Sequence, residues 1–350
     1  MKLIIGWLLV GVFLCSIALY ANTYNRYDPY KLNYNRIGIN LPISKNKTLE
    51  LAKYPLGERY LAEHLMEEFI NNGYEVKIFA IEDVLLSTNY KAGFEVYMRS
   101  YPELKIQDYH SVFDEDKIAV LFETIPYKLE QVKNADIIFT GSIKRNNELK
   151  KMGLNSYFLP QFTKLDHFYP AYKEEYKSKI LYVANQWPDS EMRKTVRYAI
   201  NNGIDIDIYG ANWGEKLDEK SKHLLKADQI SNDDLKYYYS SADIVLNDTR
   251  EDMIEEGFIS NRIFDVTACG GFIISDYIEG IEEIYGDAIP MYKKEEEFVK
   301  LIKYYLEHEE ERREKALKAH EITKKYFSSD KVVAKMLEIM KGYALEKNLM

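Results

Sequence analysis

The sequence predicts an α/β protein with two doubly wound domains, preceded by one apolar segment. The chain has 350 residues, which is more than one compact domain usually needs. Predicted strands and helices alternate along residues 36–152, and the same alternation resumes along residues 179–275. Such alternation is typical of parallel sheets with helices on both faces. Residues 3–21 carry no charged side chain, as expected of a segment that enters a membrane.

Composition and charge narrow the class of protein. Hydrophobic residues make up 46% of the chain and charged residues 29%, which excludes intrinsic disorder and the fibrous classes. The formal net charge of -9 argues against a protein that coats nucleic acid. The two cysteines, Cys15 and Cys269, cannot form a disulfide framework and have no zinc-ligand spacing. The function must therefore rest on chemistry other than a disulfide framework or a cysteine-bound zinc ion.

We interpret residues 1–22 as a transmembrane anchor or a signal segment. The apolar run is close to the roughly 20 residues that cross a bilayer as a helix, and it is longer than a typical signal core. An uncleaved anchor is therefore favoured, while Ser16 and Ala18 leave cleavage and a secreted protein as the alternative. More basic residues follow the run than precede it, so the positive-inside rule predicts a single-pass membrane protein with a cytoplasmic body.

The first domain is predicted at residues 35–165, after a polar tether at residues 23–34. It opens with a strand, a helix that stops at Gly73, and a second strand. The same unit is then repeated further along the domain. The predicted elements are strands at 36–41, 75–80, 118–122 and 135–140, and helices at 57–72 and 127–133, with a short helix ending at 152.

The second domain is predicted at residues 175–328, after a Pro- and aromatic-rich connector at residues 159–172. We expect the two domains to face each other across a cleft. Ligands of such sheets bind at the carboxyl ends of the strands, and those ends would line the cleft. Residues 329–350 are predicted as a C-terminal helix that can cross back to the first domain. The predicted strands of the second domain are 179–183, 204–209, 243–246 and 271–275, and its predicted helices are 190–201, 233–241, 261–269 and 295–324.

The loop after the first strand of the second domain is a candidate phosphate site. It contains Asn185 and leads into a predicted helix whose first turns carry Arg193 and Lys194. A helix N-terminus has unpaired N–H groups and a positive potential, and the two basic side chains add full charges. The alternative interpretation is an ordinary helix cap with two solvated basic residues.

Residues 252–276 carry the most informative pattern. Arg262 and Asp265 lie one helical turn apart, on a face that can look into the cleft. An arginine can neutralise a diphosphate, and a carboxylate can accept hydrogen bonds from ribose hydroxyls. Gly270 and Gly271 then allow a tight passage from helix to strand. The alternative is a surface ion pair worth about 0–1 kcal/mol.

Longer segments extend this pattern. They are ADQISNDDLKYYYSSADIVLND at 227–248 and SNRIFDVTACGGFIISD at 260–276, with Gly210 after the preceding strand. This order resembles the C-terminal domain of GT-B glycosyltransferases, above all the spore-maturation-protein-like group and more distantly the group-one retaining enzymes. In the first domain, GERYLAEHLMEEFINNGYEVKIFA at 57–80 is similar to the first helix and second strand of their acceptor domain.

The resemblance implies a GT-B fold, with an acceptor-side first domain and a second domain that binds a nucleotide sugar. The family's ribose-binding carboxylate matches Asp265, and an arginine expected in the spore-protein-like group matches Arg262. A glutamate that group-one enzymes carry eight residues earlier is replaced here by Gly257, with Glu256 one residue off. The implied donor-binding residues are Asn185, Arg193, Lys194, Gly210, Arg262 and Asp265.

The implied chemistry needs no metal and no cofactor besides the nucleotide-diphosphate sugar. Fixed positive groups stabilise the charge that develops on the departing phosphate. Asp205 and Asp207 have the spacing of an Asp-x-Asp metal motif, but alternation within a strand favours a polar sheet face. Glu123 follows a predicted strand and is the candidate catalytic base or electrostatic partner on the acceptor side. The alternative for Glu123 is a solvated loop residue.

The expected function is a glycosyltransferase that moves a sugar from a nucleotide donor to a cell-envelope glycan, lipid or protein. A sugar-nucleotide epimerase of the GT-B type is an alternative enzyme, and a periplasmic-type solute-binding protein is a non-enzymatic alternative. Donor binding separates the two enzymes from the binding protein, and transfer to an acceptor separates the transferase from the epimerase. No Gly-x-Gly-x-x-Gly turn follows a predicted strand, which disfavours a Rossmann dehydrogenase.

Overall fold

The structure is a computed structural model that describes residues 32–41, 57–80, 89–98, 117–187 and 190–350. The predicted anchor at residues 1–22 and the tether up to residue 31 lie outside this part of the chain. Within the described ranges, no helix is both long enough and apolar enough to cross a membrane.

The first domain is built on a parallel sheet with six strands among the described residues. They are β1 (Asn33–Asn40), β2 (Glu75–Phe79), β3 (Ala92–Tyr97), β4 (Ile118–Glu123), β5 (Ile137–Thr140) and β6 (Ser156–Phe158). The helices are α1 (Gly57–Asn71), α2 (Leu129–Val132) and α3 (Ile143–Lys151). The strand order is β2-β1-β3-β4-β5-β6, so the chain starts near the middle and winds both ways. This is the predicted doubly wound architecture.

Strand β3 has no counterpart among the predicted elements, because a charged residue lies in its middle. The carboxylate of Glu95 is buried, 2.9 Å from the ammonium of Lys117, and it accepts a hydrogen bond of 2.5 Å from the amide of Asn40. A Cβ atom on Gly38 would lie 2.5 Å from Glu95 Oε2, so the glycine leaves the space that this carboxylate fills. A charge that is buried through pairing interrupts the apolar pattern by which strands are predicted.

The second domain has a second six-stranded parallel sheet. Its strands are β7 (Ser178–Val183), β8 (Asp207–Tyr209), β9 (Leu225–Ala227), β10 (Ala242–Asn247), β11 (Ile273–Asp276) and β12 (Met291–Tyr292). The helices that follow are α4 (Lys194–Asn201), α5 (Leu235–Ser241), α6 (Glu251–Glu256), α7 (Asn261–Ala268), α8 (Glu279–Tyr285), α9 (Glu295–Glu307), α10 (Glu309–Tyr326) and α11 (Ser329–Glu346). The strand order is β12-β11-β10-β7-β8-β9. The winding direction therefore reverses between β7 and β10, which creates a crevice at their carboxyl ends.

Helix α4 begins at Lys194, four residues later than the predicted start at residue 190. The side chain of Gln186 binds the local backbone instead. It donates to the carbonyls of Trp187 and Glu191 at 3.0 and 2.9 Å, and it accepts from the N–H of Arg193 at 3.1 Å. Because these bonds occupy backbone groups that a helical turn would use, residues 190–193 stay outside the helix.

The predicted helix at 295–324 is wrong as a single element, because the chain forms α9 and α10 with a break at His308. The imidazole Nδ1 of His308 lies 2.6 Å from the carbonyl oxygen of Tyr304, and its ring stacks on the Tyr304 ring at 3.8 Å. This side chain occupies the carbonyl that would receive the next helical hydrogen bond. The acidic residues that follow begin a new helix.

Helix α11 returns to the first domain. Apolar side chains of α11, including Val333 and Met336, belong to the same core as Ile37 of β1. Ser329 at the start of α11 donates a hydrogen bond of 2.6 Å to Glu68 of α1. The connector between the domains contacts the residue just before α11, since Thr163 forms a β-bridge with Ser328. The two domains are therefore joined twice, once by the connector and once by the last helix.

The domains also touch at the ends of two helices. Ser142, the N-cap of α3, donates to the carbonyl of Glu256 at the end of α6. The ammonium of Lys144 donates to the neighbouring carbonyl of Glu255 at 2.5 Å. These contacts satisfy carbonyl groups that the end of α6 would otherwise leave unpaired. They place the carboxyl edge of the first sheet against that of the second.

Candidate functional site

A pocket of about 390 Å³ lies at the carboxyl ends of β7 and β10. This is the point where the strand order of the second sheet reverses, and ligands of open α/β sheets bind at such points. The lining includes four basic side chains from the loops after the two strands and from α4. They are Arg193, Lys194, Arg197 and Arg250. The lining also includes the acidic residues Glu191, Asp248, Glu251 and Asp252. Three of these carboxylates pair with Arg193, Arg197 and Arg250. Binding of an anionic ligand therefore depends mainly on Lys194 and on the N-terminus of α4.

Arg193 holds two loops of this site together, and only a small part of its side chain faces the pocket. Its side chain is only 9% exposed. Its Nε donates to Asp248 Oδ1 at 2.9 Å, and its Nη1 donates to the carbonyl of Asn185 at 3.1 Å. The ring of Trp187 covers the guanidinium at 4.4 Å, and Tyr182 donates to the same Asp248 oxygen at 2.7 Å. Most donors of Arg193 are therefore engaged inside the protein, where they hold the two loops together, and its contact with a donor phosphate stays a prediction.

Lys194 is better placed to meet a ligand. Its Nζ lies 3.0 Å from Asp276 Oδ2, at the end of β11, and its side chain is 30% exposed. An ammonium has three N–H donors, so the contact with Asp276 leaves donors for a second anion. Lys194 is also the first residue of α4, where the helix N-terminus adds a positive potential.

Gly210 and Asn185 shape the loops at the ends of β7 and β8. Gly210 has a φ of +145°, and a Cβ atom there would lie 2.1 Å from the carbonyl oxygen of Ala184. Asn185 Oδ1 accepts a hydrogen bond of 2.9 Å from the N–H of Ala211. Only glycine permits this close passage of two backbones. Both predicted residues therefore lie at the site, where they hold its backbone.

Arg262 and Asp265 lie on the first two turns of α7. Arg262 Nη1 donates a hydrogen bond of 2.7 Å to Asn247 Oδ1 at the end of β10. Asp265 Oδ2 accepts from Asn261 at 2.8 Å, and Asp265 Oδ1 is buried without a hydrogen-bond partner among the described residues. The Thr163 side chain also favours the charged form of this carboxyl group, which is buried and therefore has little surface toward a ligand.

Burial raises the pKa of Asp265 to about 7, against the opposing effects of Thr163, Asn261 and the Arg262 charge. The carboxyl group therefore changes its charge near neutral pH. A group with this property at a domain interface is a candidate functional residue on physical grounds.

Glu123 lies at the end of β4 on the opposite side of the cleft, but its side chain is fully buried. Its Oε1 lies 3.4 Å from Arg145 Nε and accepts a hydrogen bond of 3.2 Å from the N–H of Tyr127. Burial raises the pKa of Glu123, and the Arg145 charge opposes that effect. In this arrangement the carboxylate has no surface toward an acceptor. The expected base role therefore has no support from the geometry, because a base must reach the proton it removes.

The Asp-x-Asp carboxylates are engaged in separate contacts. Asp207 accepts from Ser178 Oγ at 2.5 Å and lies 3.3 Å from Lys226. Asp205 lies outside the short strand β8 and 3.3 Å from His223. Among the residues that the structure describes, no group of three or more His, Cys, Asp and Glu side chains could hold a metal ion.

Comparison with known proteins agrees with this architecture. Residues 188–338 match a family described as glycosyl transferase-like. The chain is 26% identical over 233 residues to spore protein CgeB of Bacillus subtilis (strain 168), which covers 60% of this chain and 70% of that protein. A sucrose-phosphate synthase from Thermosynechococcus elongatus superimposes with a TM-score of 0.65 at 11% identity, covering 88% of this chain and 98% of the other. The second domain therefore resembles the glycosyl transferase-like family, and the chain has the GT-B fold of its structural neighbours.

A second structural neighbour of the chain is Anabaena Alr3699/HepE in complex with UDP and glucose. It superimposes with a TM-score of 0.59 at 10% identity, covering 88% of this chain and 99% of the other. The likeness extends over both domains, so the fold is shared although few residues are.

Four residues of this candidate site were not predicted from the sequence. Trp187 covers Arg193. The other three residues lie at the ends of strands and contact the basic side chains. Those three are Asn247, Asp248 and Asp276. A signal was present, since each polar residue ends or directly follows a buried strand at the carboxyl edge of the sheet. Their partners could not be read from the sequence, because those partners lie at least 15 residues away in the chain.

Proposed function

We propose that this glycosyltransferase transfers a sugar from a nucleotide-diphosphate donor, with the diphosphate held in the pocket between β7 and β10. The observation that carries the proposal is the exposed ammonium of Lys194 in this pocket, at the start of α4. Arg262 of α7 is proposed as a second cation on the strength of the resemblance; it lies outside the lining of this pocket and is joined to it through Asn247. UDP is the first nucleotide to test, because HepE was solved with UDP and glucose.

The chemistry proposed for the site is electrostatic. As the bond between sugar and phosphate breaks, negative charge grows on the departing diphosphate. Lys194, Arg262 and the N-terminus of α4 stabilise that charge where they stand, without a metal ion. The carboxylate of Asp265 accepts a hydrogen bond from a ribose hydroxyl in this proposal, as the resemblance implies. We assign no catalytic base, because Glu123 is buried.

The proposed acceptor and membrane attachment rest on the amino-acid sequence and on the resemblance that it shows. We propose that the first domain binds a cell-envelope glycan, lipid or protein, and that residues 1–22 attach the enzyme to the membrane with its body in the cytoplasm. A membrane attachment would bring the cleft close to such an acceptor. Neither the solute-binding nor the epimerase alternative is favoured by the comparisons.

The first test is thermal stabilisation of the full chain in detergent by UDP-, GDP-, ADP- and CMP-sugars. A ligand at 100 times its dissociation constant adds about 2.7 kcal/mol to the free energy of unfolding. We expect one nucleotide series to stabilise the wild type and Arg262→Ala to lose that effect. Arg313→Ala is the matched control, because Arg313 is 79% exposed on α10 and outside the pocket. Stabilisation by free sugars alone would reject the proposal.

Donor affinity is expected to rise as the pH increases through about 7. The carboxylate form of Asp265 accepts ribose hydroxyl hydrogen bonds, and burial keeps the group protonated below that pH. Calorimetric titration with the stabilising nucleotide between about pH 6 and pH 8 measures the effect. Asp265→Asn should bind more weakly and lose the pH dependence. An unchanged pH dependence in this variant would assign the titration to another group.

The same shift gives a stability prediction of defined sign. The pKa of Asp265 moves from 3.8 to about 7 on folding, so between these values the folded chain holds a proton that the unfolded chain has released. Stability from this group therefore falls as the pH rises from about 4 to about 7, and it is constant above that range. Asp265→Asn should flatten this part of the stability profile in urea unfolding.

A further inference from the structure

Beneath the pocket, a continuous chain of buried hydrogen bonds joins Arg262 to Lys194. Arg262 Nη1 donates to Asn247 Oδ1 at 2.7 Å, and Asn247 Nδ2 donates to Ser275 Oγ at 2.9 Å. Ser275 Oγ donates to Asp276 Oδ1 at 3.2 Å, and Asp276 Oδ2 lies 3.0 Å from Lys194 Nζ. We call these five residues the relay. It connects the basic side chains of α7 and α4 through the ends of β10 and β11.

The direction of every bond in the relay is determined by its chemistry. The guanidinium of Arg262 can only donate, so the oxygen of the Asn247 amide must face it. The amide NH₂ of Asn247 then faces Ser275, whose hydroxyl passes its own proton toward Asp276. Thr249 completes the carboxylate, because its N–H donates to Asp276 Oδ2 at 2.8 Å. The single buried carboxylate of Asp276 thus anchors one cation directly and the other through two neutral side chains.

The inner members of the relay cannot touch a ligand. Asn247 and Ser275 are fully buried, and Asp276 is 1% exposed. Replacing a polar side chain at this depth leaves its partners unsatisfied in a medium where hydrogen bonds are strong. An effect of Asn247 or Ser275 on ligand binding must therefore pass through the side chains that they hold.

We propose that Asn247 and Ser275 are positioning residues, which orient Arg262 toward the donor diphosphate from the Asp276 anchor. This inference rests on the proposed function, since it takes Arg262 as a donor ligand. A guanidinium that is pre-oriented by a buried acceptor loses less freedom when it binds a phosphate than one that is free. Arg262 without its acceptor still carries its charge, but its direction is no longer determined by the fold.

The test is a double-mutant cycle on UDP binding. Calorimetry measures the UDP affinity of each full-length variant in detergent. We expect Asn247→Ala to weaken UDP binding about tenfold, the equivalent of about 1.4 kcal/mol. In the Arg262→Ala background, Asn247→Ala should have no further effect, because the side chain that it orients is gone. Ser275→Ala should follow the same rule with a smaller loss, and it serves if Asn247→Ala does not fold.

Glu95→Gln is the matched control for destabilisation. It disturbs a buried polar group in the other domain, the carboxylate that lies 2.9 Å from Lys117, just as Asn247→Ala disturbs one in the second domain. It should lower the melting temperature and leave UDP affinity unchanged. Equal losses from Asn247→Ala with and without Arg262 would overturn the inference. Absence of UDP binding by the wild type would instead reject UDP as the donor nucleotide in the proposed function, and the cycle would then be run with the nucleotide that stabilises the protein.

Discussion

Substitution of Gly210 by alanine is expected to lower the free energy of unfolding by about 2–4 kcal/mol and to abolish donor binding. The added Cβ atom would lie 2.1 Å from the carbonyl oxygen of Ala184 and 2.5 Å from its carbon. These are backbone atoms of β7's outgoing loop, so no side-chain rotation relieves the clash. The φ of +145° adds strain, because it is a region that essentially only glycine adopts.

The loss of binding follows from what the displaced loop carries. Asn185 follows Ala184, and its carbonyl accepts a hydrogen bond from Arg193. A shift of this loop therefore loosens the tie between the two sides of the pocket. Urea unfolding and UDP calorimetry measure the two effects.

Gly203→Ala is the control for the Gly210 prediction. Gly203 also has a positive φ, of +62°, but a Cβ atom there meets no other atom within 4 Å. Its substitution should cost only the local backbone strain, about 1–2 kcal/mol, and leave UDP binding intact. If the two alanine variants behaved alike, the close approach of β7 and β8 would not matter to the site.

Replacement of Glu95 by alanine is expected to destabilise the first domain by about 3–5 kcal/mol. Glu95 is buried between Lys117 and Asn40, and it fills the space above Gly38. Its removal takes the carboxylate partner from a lysine whose side chain is 8% exposed. Lys117 keeps a further interaction, so the cost comes from the lost pairing with Glu95, the lost acceptor of Asn40 and the empty space above Gly38.

Two optical signals locate the Glu95 effect. Circular dichroism reports on both domains. In a Trp7→Phe background, tryptophan fluorescence comes from Trp187 and Trp213 and reports on the second domain. The transition seen only by circular dichroism should move to lower urea concentration. Glu67→Ala is the control, because Glu67 pairs with Lys164 but is 49% exposed, and such pairs contribute about 0–1 kcal/mol.

A compensated variant separates charge from packing at this position. Glu95→Met combined with Lys117→Met removes both charges and keeps similar volume, so it should recover most of the lost stability. If the double variant were as unstable as Glu95→Ala, the cost would come from lost packing and from Asn40. The charge argument would then fail.

The sequence by itself determined the elements whose apolar pattern is uninterrupted. The cores of β1, β4, β7 and β10 were all predicted within a few residues. Arg262 and Asp265 were recognised from one helical turn and a resemblance, and they lie on the turns of α7 that face Asn247 and Thr163. These features are local, because the period of a strand or a helix depends on residues that are close together in the sequence.

Tertiary structure alone decided the partners of the charged side chains. The sequence pattern gave no sign that Arg193 is bound to Asp248, that Glu123 is buried against Arg145, or that Glu95 lies inside a strand. Each partner lies between 22 and 55 residues away in the chain and is brought near by the order of the strands. Whether a charge is free to bind a ligand depends on desolvation and on pairing, and both are set by the folded sheet and not by the local sequence.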